Sequence, residues 1–338
     1  MKAMVLEAIG LANLKLQELP TPTPGPGDVL VRLRAASLNY RDTLVVEGGY
    51  GSRQRSSGLI PVSDGAGEIE ALGAKVEGWH VGDRVVGCFF PNWHDGPPSE
   101  EKCRGDLGGG ADGVACEYRV FAQNAILPIP GHLSFIEAAS LPCAGVTAWQ
   151  AVRAQGQVGP GQWVLTQGTG GVSLFALQFA AMAGARTIAT SSSDAKREKL
   201  RELGATHTID YRADAEWGAT ARRLAGGQGV DLVVDIGGAA TLRQALRAMK
   251  VGGAISIIGV IGGARAEINL PVVAIQNLRL QGIGVGSNAM FADLLAAMAE
   301  HRTKPVIDAK IFPLAELPAA LDYLKHGGHI GKICLEIA

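Results

Sequence analysis

The chain has 338 residues, too many for one ordinary hydrophobic core and enough for two domains. Apolar residues make up 47% and charged residues 19%, which excludes an intrinsically disordered chain. A formal net charge of -1 gives no reason to expect nucleic acid or an anionic membrane surface as a partner. No apolar run approaches the ~20 residues that span a bilayer. Met1 to Leu6 runs straight into Glu7, so no secretory h-region is expected. Five scattered cysteines, Cys88, Cys103, Cys116, Cys143 and Cys334, form no disulfide framework and suit a reducing cytoplasm.

Residues 1–127 are expected to be mostly β. Val29 to Arg34 alternates after the turn-forming Pro24-Gly25-Pro26-Gly27-Asp28, and Glu68 to Gly73 and Asp83 to Gly87 give further strands. Many short strands with Gly/Pro turns suggest a small barrel or rolled sheet. The stretch from Pro91 to Gly113 has neither helical nor strand period, and a loop that long in a compact domain is more often functional than idle. Residues 128–288 change to alternating strand and helix. Strands are expected at Trp163 to Thr166, Arg186 to Thr190, Thr206 to Ile209, Asp231 to Asp235, Ala254 to Gly259 and Leu278 to Ile283. An apolar helix from Leu174 to Met182 and a charged one from Asp194 to Leu203 lie between them, giving a parallel, doubly wound sheet. Residues 289–338 hold a helix from about Phe291 to His301 and strands at Ala309 to Phe312 and Lys332 to Ile337, and are expected to return to the first domain.

The glycine pattern Gly168-Thr169-Gly170-Gly171-Val172-Ser173 falls between a strand and the apolar helix. There Gly168 can make the tight turn and Gly170 can let the backbone approach a pyrophosphate, while the helix N-terminus supplies N–H groups and a positive dipole end. Ser173 stands where Gly or Ala is usual. An NAD site usually has Asp or Glu at the end of the second strand, to hold the ribose 2′-hydroxyl. This chain has Ser191-Ser192-Ser193, with Lys196 and Arg197 opening the next helix, a set that suits the 2′-phosphate of NADPH. Asp194 reads as that helix's N-cap.

With these residues assembled, the chain resembles a medium-chain dehydrogenase/reductase, and within that superfamily its zinc-free, quinone oxidoreductase-like branch. The resemblance rests on Ser37-Leu38-Asn39-Tyr40-Arg41-Asp42, Asp64 to Glu68, Val81 to Val85, Leu141 to Trp149, Val285-Gly286-Ser287 and Gly331-Lys332-Ile333. It implies an α/β protein in which a GroES-like, β-rich catalytic domain accompanies a Rossmann domain, with the active site in the cleft between them. It also implies Thr147 near the nicotinamide and Lys196 and Tyr211 at the 2′-phosphate. Together with the glycine loop it gives the candidate cofactor contacts Asn39, Thr147, Gly168, Gly170, Gly171, Val172, Ser191, Ser192, Lys196, Tyr211, Gly259, Val260, Val285, Ser287 and Lys332.

The resemblance also argues against metal. Zinc alcohol dehydrogenases carry Cys-His where this chain has Asn39-Tyr40 and His-Glu where it has Ser63-Asp64, which leaves Cys143 as the one soft ligand, short of the three that a catalytic Zn²⁺ needs. The structural-zinc lobe, with four cysteines in those relatives, is replaced by Pro91 to Gly113. Without a Lewis acid, hydride transfer to an α,β-unsaturated carbonyl or a quinone is the favoured reaction, since hydrogen-bond donors can stabilise the oxygen that gains charge. Tyr40 is the candidate donor and Asn39 the residue that orients the acceptor or the nicotinamide ribose, or else both merely shape a turn. Arg41 and Asp42 read as a structural pair or cap. Asp64, Phe90 and Trp93 are candidates for the substrate wall, the aromatics being equally suited to packing. A zinc-free alcohol dehydrogenase and a non-catalytic NADPH-binding protein stay open as alternatives. The expected partners are a small-molecule substrate and a second copy of the chain, paired through a sheet edge at Asn277 to Gly286.

Overall fold

The computed structural model describes residues 1–52 and 54–338. The chain forms two compact units, one of Met1–Val146 with Gly286–Ala338 and one of Thr147–Val285. No described helix is long and apolar enough to cross a membrane.

The first unit is a GroES-like rolled sheet. Across its seven-stranded sheet the order is Ile307–Pro313, Lys332–Glu336, Asp28–Ser37, Asp64–Leu72, Arg84–Gly87 and Ile126–Pro128, with Tyr118–Ala122 paired to Asp28–Ser37. A small ribbon, Lys2–Leu6 with Leu14–Glu18, completes the β structure. The ten-residue strand Asp28–Ser37 is the centre of the sheet because Val29, Val31, Leu33 and Ala35 bury one row while Leu30 and Ala36 are also covered. The core joins this strand to Met4, Leu6, Val45, Ile69, Val114, Phe121, Phe312, Leu321 and Leu335. The last 53 residues thus complete the first sheet, two of whose strands come from beyond Gly286.

The second unit is a Rossmann sheet of six parallel strands. Their order is His207–Ile209, Arg186–Thr190, Trp163–Gln167, Val230–Asp235, Met249–Ile257 and Arg279–Gly282, which in chain order is 3-2-1-4-5-6. Central strands read as continuous apolar runs because helices cover both faces, and Trp163–Gln167 is buried along its whole length. Leu174, Phe175, Leu177 and Phe179 bury the helix Gly171–Met182 on nearly every side.

Candidate active site

Three strand ends of the first unit converge on one spot. Ser37, the last residue of its strand, is in register with Asp64, the first of the next strand, and with Cys334 on the other side. The chain past Ser37 therefore delivers Leu38 and Asn39 beside Ser63, Asp64 and Lys332. Asn39 is extended and caps the helix Tyr40–Glu47, and its N–H donates to Asp42 Oδ2 at 2.7 Å. That makes Asp42 a capping residue, as the sequence suggests. Burial pushes its carboxyl up to about 6, against the lowering influence of Arg41 and the Asn39 N–H. Tyr40, the first residue of the helix, is 41% exposed, whereas Asn39 is buried.

Asp64 is fully buried and both of its oxygens are engaged. Ser63 Oγ donates to Oδ1 at 2.6 Å and the Cys143 N–H donates to Oδ2 at 3.0 Å. It is therefore a support for the backbone at Cys143, within the π-helical turn Leu141–Gly145. Val62, just before this pair, has φ 70, a left-handed conformation that β-branched residues rarely adopt. The Val114 N–H holds its carbonyl at 2.8 Å, and a Cβ on Gly108 would lie only 2.6 Å from the Val62 carbonyl carbon. Lys332 is 3% exposed, and its ammonium donates to the Leu38 carbonyl and to Asn39 Oδ1. Nothing in the sequence marks a lysine opening a strand as buried, since such residues usually reach solvent.

The irregular stretch from Pro91 to Gly113 is pinned at several points, including an ion pair of Asp112 with Arg55 and the Gly113 N–H on the Ile60 carbonyl. The Asn288 and Ala289 N–H groups, at the start of the helix Asn288–His301, donate to the carbonyls of Trp93 and His94 at 2.8 and 2.9 Å. Further on, Arg41 Nη2 meets Asp106 Oδ2 at 2.6 Å and Nη1 reaches the Leu107 carbonyl at 2.9 Å. The same guanidinium lies 4.3 Å from the Tyr50 ring centroid and 5.0 Å from that of Phe89. Gly109 is required here, because a Cβ would sit 2.3 Å from Arg41 Nη2. Phe90 and Trp93 are both buried, with ring centroids 5.9 Å apart, and Trp93 Nε1 donates to the Gly96 carbonyl. Ser287 is buried and spends its hydroxyl as an N-cap on the Met290 N–H.

In the second unit the glycine loop joins Trp163–Gln167 to the helix Gly171–Met182. Gly168 has φ +77 and its N–H is bound to the Thr190 carbonyl at 2.7 Å. A Cβ on Gly168 or Gly170 would meet no protein atom within 4 Å, so the space over the loop is not consumed by packing. Gly171 and Val172 open the helix, where N–H groups have no intrahelical partner. These features fit a dinucleotide pyrophosphate. Ser173 proves useful, since its Oγ donates to the Gln167 carbonyl at 2.6 Å and ties helix to strand. Gln167 in turn donates to Asp235 Oδ2 at 3.0 Å, and Asp235 Oδ1 holds the Gly238 N–H and the Thr241 hydroxyl. This buried weld across two strand ends is legible only once their adjacency is known. Gly259 follows, and a Cβ there would lie 2.4 Å from the Ile236 carbonyl oxygen; Val260 beyond it is exposed. Val285 is another β-branched residue at positive φ, 58°, and Thr147 is buried.

The sequence reading of Asp194 requires correction. Ser193 is the N-cap, its hydroxyl accepting the Lys196 N–H at 3.4 Å, and Asp194 is the first helical residue. Its carboxylate turns to Arg197, which also holds Asp210 and the Ser191 carbonyl. With Arg197 so engaged, Ser192 and Lys196, both half-buried, and the exposed Tyr211 stand at these strand ends beside the buried Ser191.

Residues 25–131 match the model of the alcohol dehydrogenase GroES-like domain, and residues 171–300 match that of the zinc-binding dehydrogenase. The chain is 43% identical to a zinc-type alcohol dehydrogenase-like protein of Schizosaccharomyces pombe, over 98% of this chain and 97% of that one. It belongs to the medium-chain dehydrogenase/reductase family. A crystal structure of a putative alcohol dehydrogenase from Sinorhizobium meliloti superposes on this family member with a TM-score of 0.92 at 39% identity, covering 99% of this chain and 98% of the other. An acryloyl-coenzyme A reductase of Sulfurisphaera tokodaii is 26% identical over 99% of this chain and 100% of its own. The chain is thus an oxidoreductase of a family whose members bind a nicotinamide cofactor.

The zinc in some of these names does not fit the residues of this dehydrogenase/reductase. Cys143 is the one soft ligand among these positions, and burial, reinforced by Asp64, pushes its thiol up. Both Asp64 oxygens already accept a hydrogen bond, and Asn39, Tyr40 and Ser63 are poor ligands. Among the described residues no group of three His, Cys, Asp or Glu side chains could hold a metal ion.

Proposed function

We propose that this chain is a zinc-free, NADPH-dependent reductase of conjugated acceptors, either α,β-unsaturated carbonyls or quinones. The observation that carries the reading is the donor set at the converging strand ends, where an exposed Tyr40 follows a buried Asn39 and, among the described residues, no three His, Cys, Asp or Glu side chains are grouped to hold a metal ion. The bound cofactor supplies hydride. Tyr40 gives a proton to the oxygen or carbon that gains charge, and Asn39 orients the acceptor. Asp64, with both oxygens bonded, holds the Cys143 backbone, and Phe90 and Trp93 give the neighbouring wall its shape. The relative named as an acryloyl-coenzyme A reductase supports a conjugated acceptor, whereas the names of the more similar relatives favour a second reading, an alcohol dehydrogenase working through Tyr40. Oxidation of NADPH against enones, quinones and aldehydes separates them. Turnover of aldehydes alone supports the second reading, and tight NADPH binding without turnover identifies a non-catalytic binder.

Three expectations follow from this reading. Purified protein contains no stoichiometric zinc and keeps its activity in chelator, and one tightly held Zn²⁺ per chain by elemental analysis refutes it. NADPH is preferred to NADH through Ser191, Ser192, Lys196 and Tyr211. Lys196→Ala is expected to weaken NADPH by about 1.5–3 kcal/mol while leaving NADH nearly level, measured by fluorescence titration. An equal loss for both cofactors removes Lys196 from the 2′-phosphate. The third expectation is a homodimer. The strand Arg279–Gly282 lies at the sheet edge, and the preceding helix Leu270–Ile275 leaves Leu270 and Ile275 69% and 79% exposed. A monomeric mass in sedimentation at micromolar concentration contradicts it.

A further inference from the structure

The converging strand ends bring in one group that the reaction above does not use. Lys332 is a buried cation whose two hydrogen-bond partners are neutral oxygens, the Leu38 carbonyl and Asn39 Oδ1, while the buried Asp42 carboxylate lies close enough to feel its charge. Burying an ammonium is costly unless it is hydrogen-bonded, so its placement on an amide calls for a reason. An ammonium can only donate. The oxygen end of the Asn39 amide must therefore face Lys332, and the NH₂ end must face the other way. There Nδ2 lies 3.5 Å from Ser63 Oγ, at the outer limit of a hydrogen bond, while Ser63 gives its own proton to Asp64 at 2.6 Å. The amide is thus fixed firmly at its oxygen and loosely at its nitrogen. A cation on Oδ1 draws electron density from the amide and makes Nδ2–H a stronger donor. Through a neutral group, the influence of the buried charge reaches Nδ2.

We propose that Asn39 Nδ2 is the hydrogen-bond donor to the acceptor's developing oxyanion, and that Lys332 is the positioning residue that orients and polarises it. The inference rests on the reductase reading above. When hydride adds to the β-carbon, the π pair of the C=C bond moves to form the enolate and the carbonyl pair moves onto oxygen. Asn39 stabilises that oxygen and keeps its own proton; the proton that completes the product comes from Tyr40, which is recharged from water. The Lys332–Asn39 pair then supplies the electrophilic assistance that a Lewis acid would otherwise provide.

The test uses the full chain with NADPH and the acceptor that the parent protein turns over best. Asn39→Asp keeps an oxygen for Lys332 and deletes the donor. It is expected to hold Tm within a few degrees and NADPH affinity within about threefold, while kcat falls by about 100- to 1,000-fold. Lys332→Met is expected to lower kcat by about 10- to 100-fold, and Lys332→Arg to restore most of it. An Asn39→Asp protein that keeps kcat within about threefold overturns the proposal, and so does a Lys332→Met protein that loses NADPH affinity at unchanged kcat. If Lys332→Met fails to fold, Asn39→Asp decides alone. A parent that reduces only aldehydes refutes the conjugated-acceptor reading but leaves this inference standing, because the same loss of kcat is then expected on the C=O bond. A parent that turns over nothing overturns both.

Discussion

Tyr40→Phe is expected to lower kcat by about 10- to 1,000-fold while NADPH affinity stays level. The substitution keeps the ring and removes only the hydroxyl, so packing at the start of the helix Tyr40–Glu47 survives. The helix is held independently of that hydroxyl, by the Asp42 cap and by Gly48 in the left-handed conformation at its end. The side chain is also the more exposed of the two proposed donors, at 41% against 8% for Asn39. Steady-state kinetics read the outcome directly. A rise in KM alone makes Tyr40 a binding wall, and unchanged kinetics assign the proton to water or to a ribose hydroxyl.

Asp106→Leu is expected to destabilise the first unit by about 3–5 kcal/mol, because it removes the shortest ion pair of the buried Arg41 guanidinium and leaves it the longer one to Asp42. Arg41→Met should cost a similar amount by stranding the Asp106 carboxylate, which is 1% exposed. The double variant Arg41→Met/Asp106→Leu is expected to lose less than either single change, since a well-packed apolar pair carries no desolvation penalty. The measurement is chemical denaturation followed through Trp93, which sits on the same irregular stretch. Simple additivity of the two single losses would show that the ion pair is not the anchor. Tyr50 belongs to this cluster as well, and burial pushes its phenol up to about 12, so it stays neutral under the Arg41 cation throughout the working range.

The Rossmann unit was the more legible half of the sequence. Arg186–Thr190 forms with the expected boundaries, and Trp163–Gln167 and Val230–Asp235 extend the expected strands by only a residue at one end. Buried parallel strands announce themselves because most of their side chains are apolar or β-branched. The first unit hid more. The helix Tyr40–Glu47 contains Thr43-Leu44-Val45-Val46, which reads as strand by propensity, and only the Asn39 and Asp42 caps and Gly48 make it helical. The helices Trp217–Leu224, Ala239–Ala248 and Leu317–His326 and the short strands Lys2–Leu6 and Ile126–Pro128 escaped notice for want of a long periodic window.

The candidate site divides in the same way. The glycine loop could be read because conformation and chemistry demand glycine at fixed spacing after a strand. The Ser193 cap was missed in favour of Asp194, since both residue types cap helices and only the backbone says where the first turn starts. Nothing local marks Lys332, Asp106 or Gln167 as buried. Each owes its role to a residue 65 or more positions away, Lys332 to Asn39, Asp106 to Arg41 and Gln167 to Asp235.

The pins on either side of Asp95 to Glu101 make that segment a replaceable cassette. Trp93 and His94 are fixed by the helix start at Asn288, and Asp106 and Leu107 by Arg41, while the chain from Asp95 to Glu101 between them is exposed and bonded mainly to Lys102. Closing a longer loop between fixed feet adds only about 0.6 kcal/mol for each doubling of its length. A library that varies the length and composition of Asp95 to Glu101 therefore explores new surface while the folded frame stays as it is. A library reaching Trp93 or Asp106 would instead sample mostly unfolded chains.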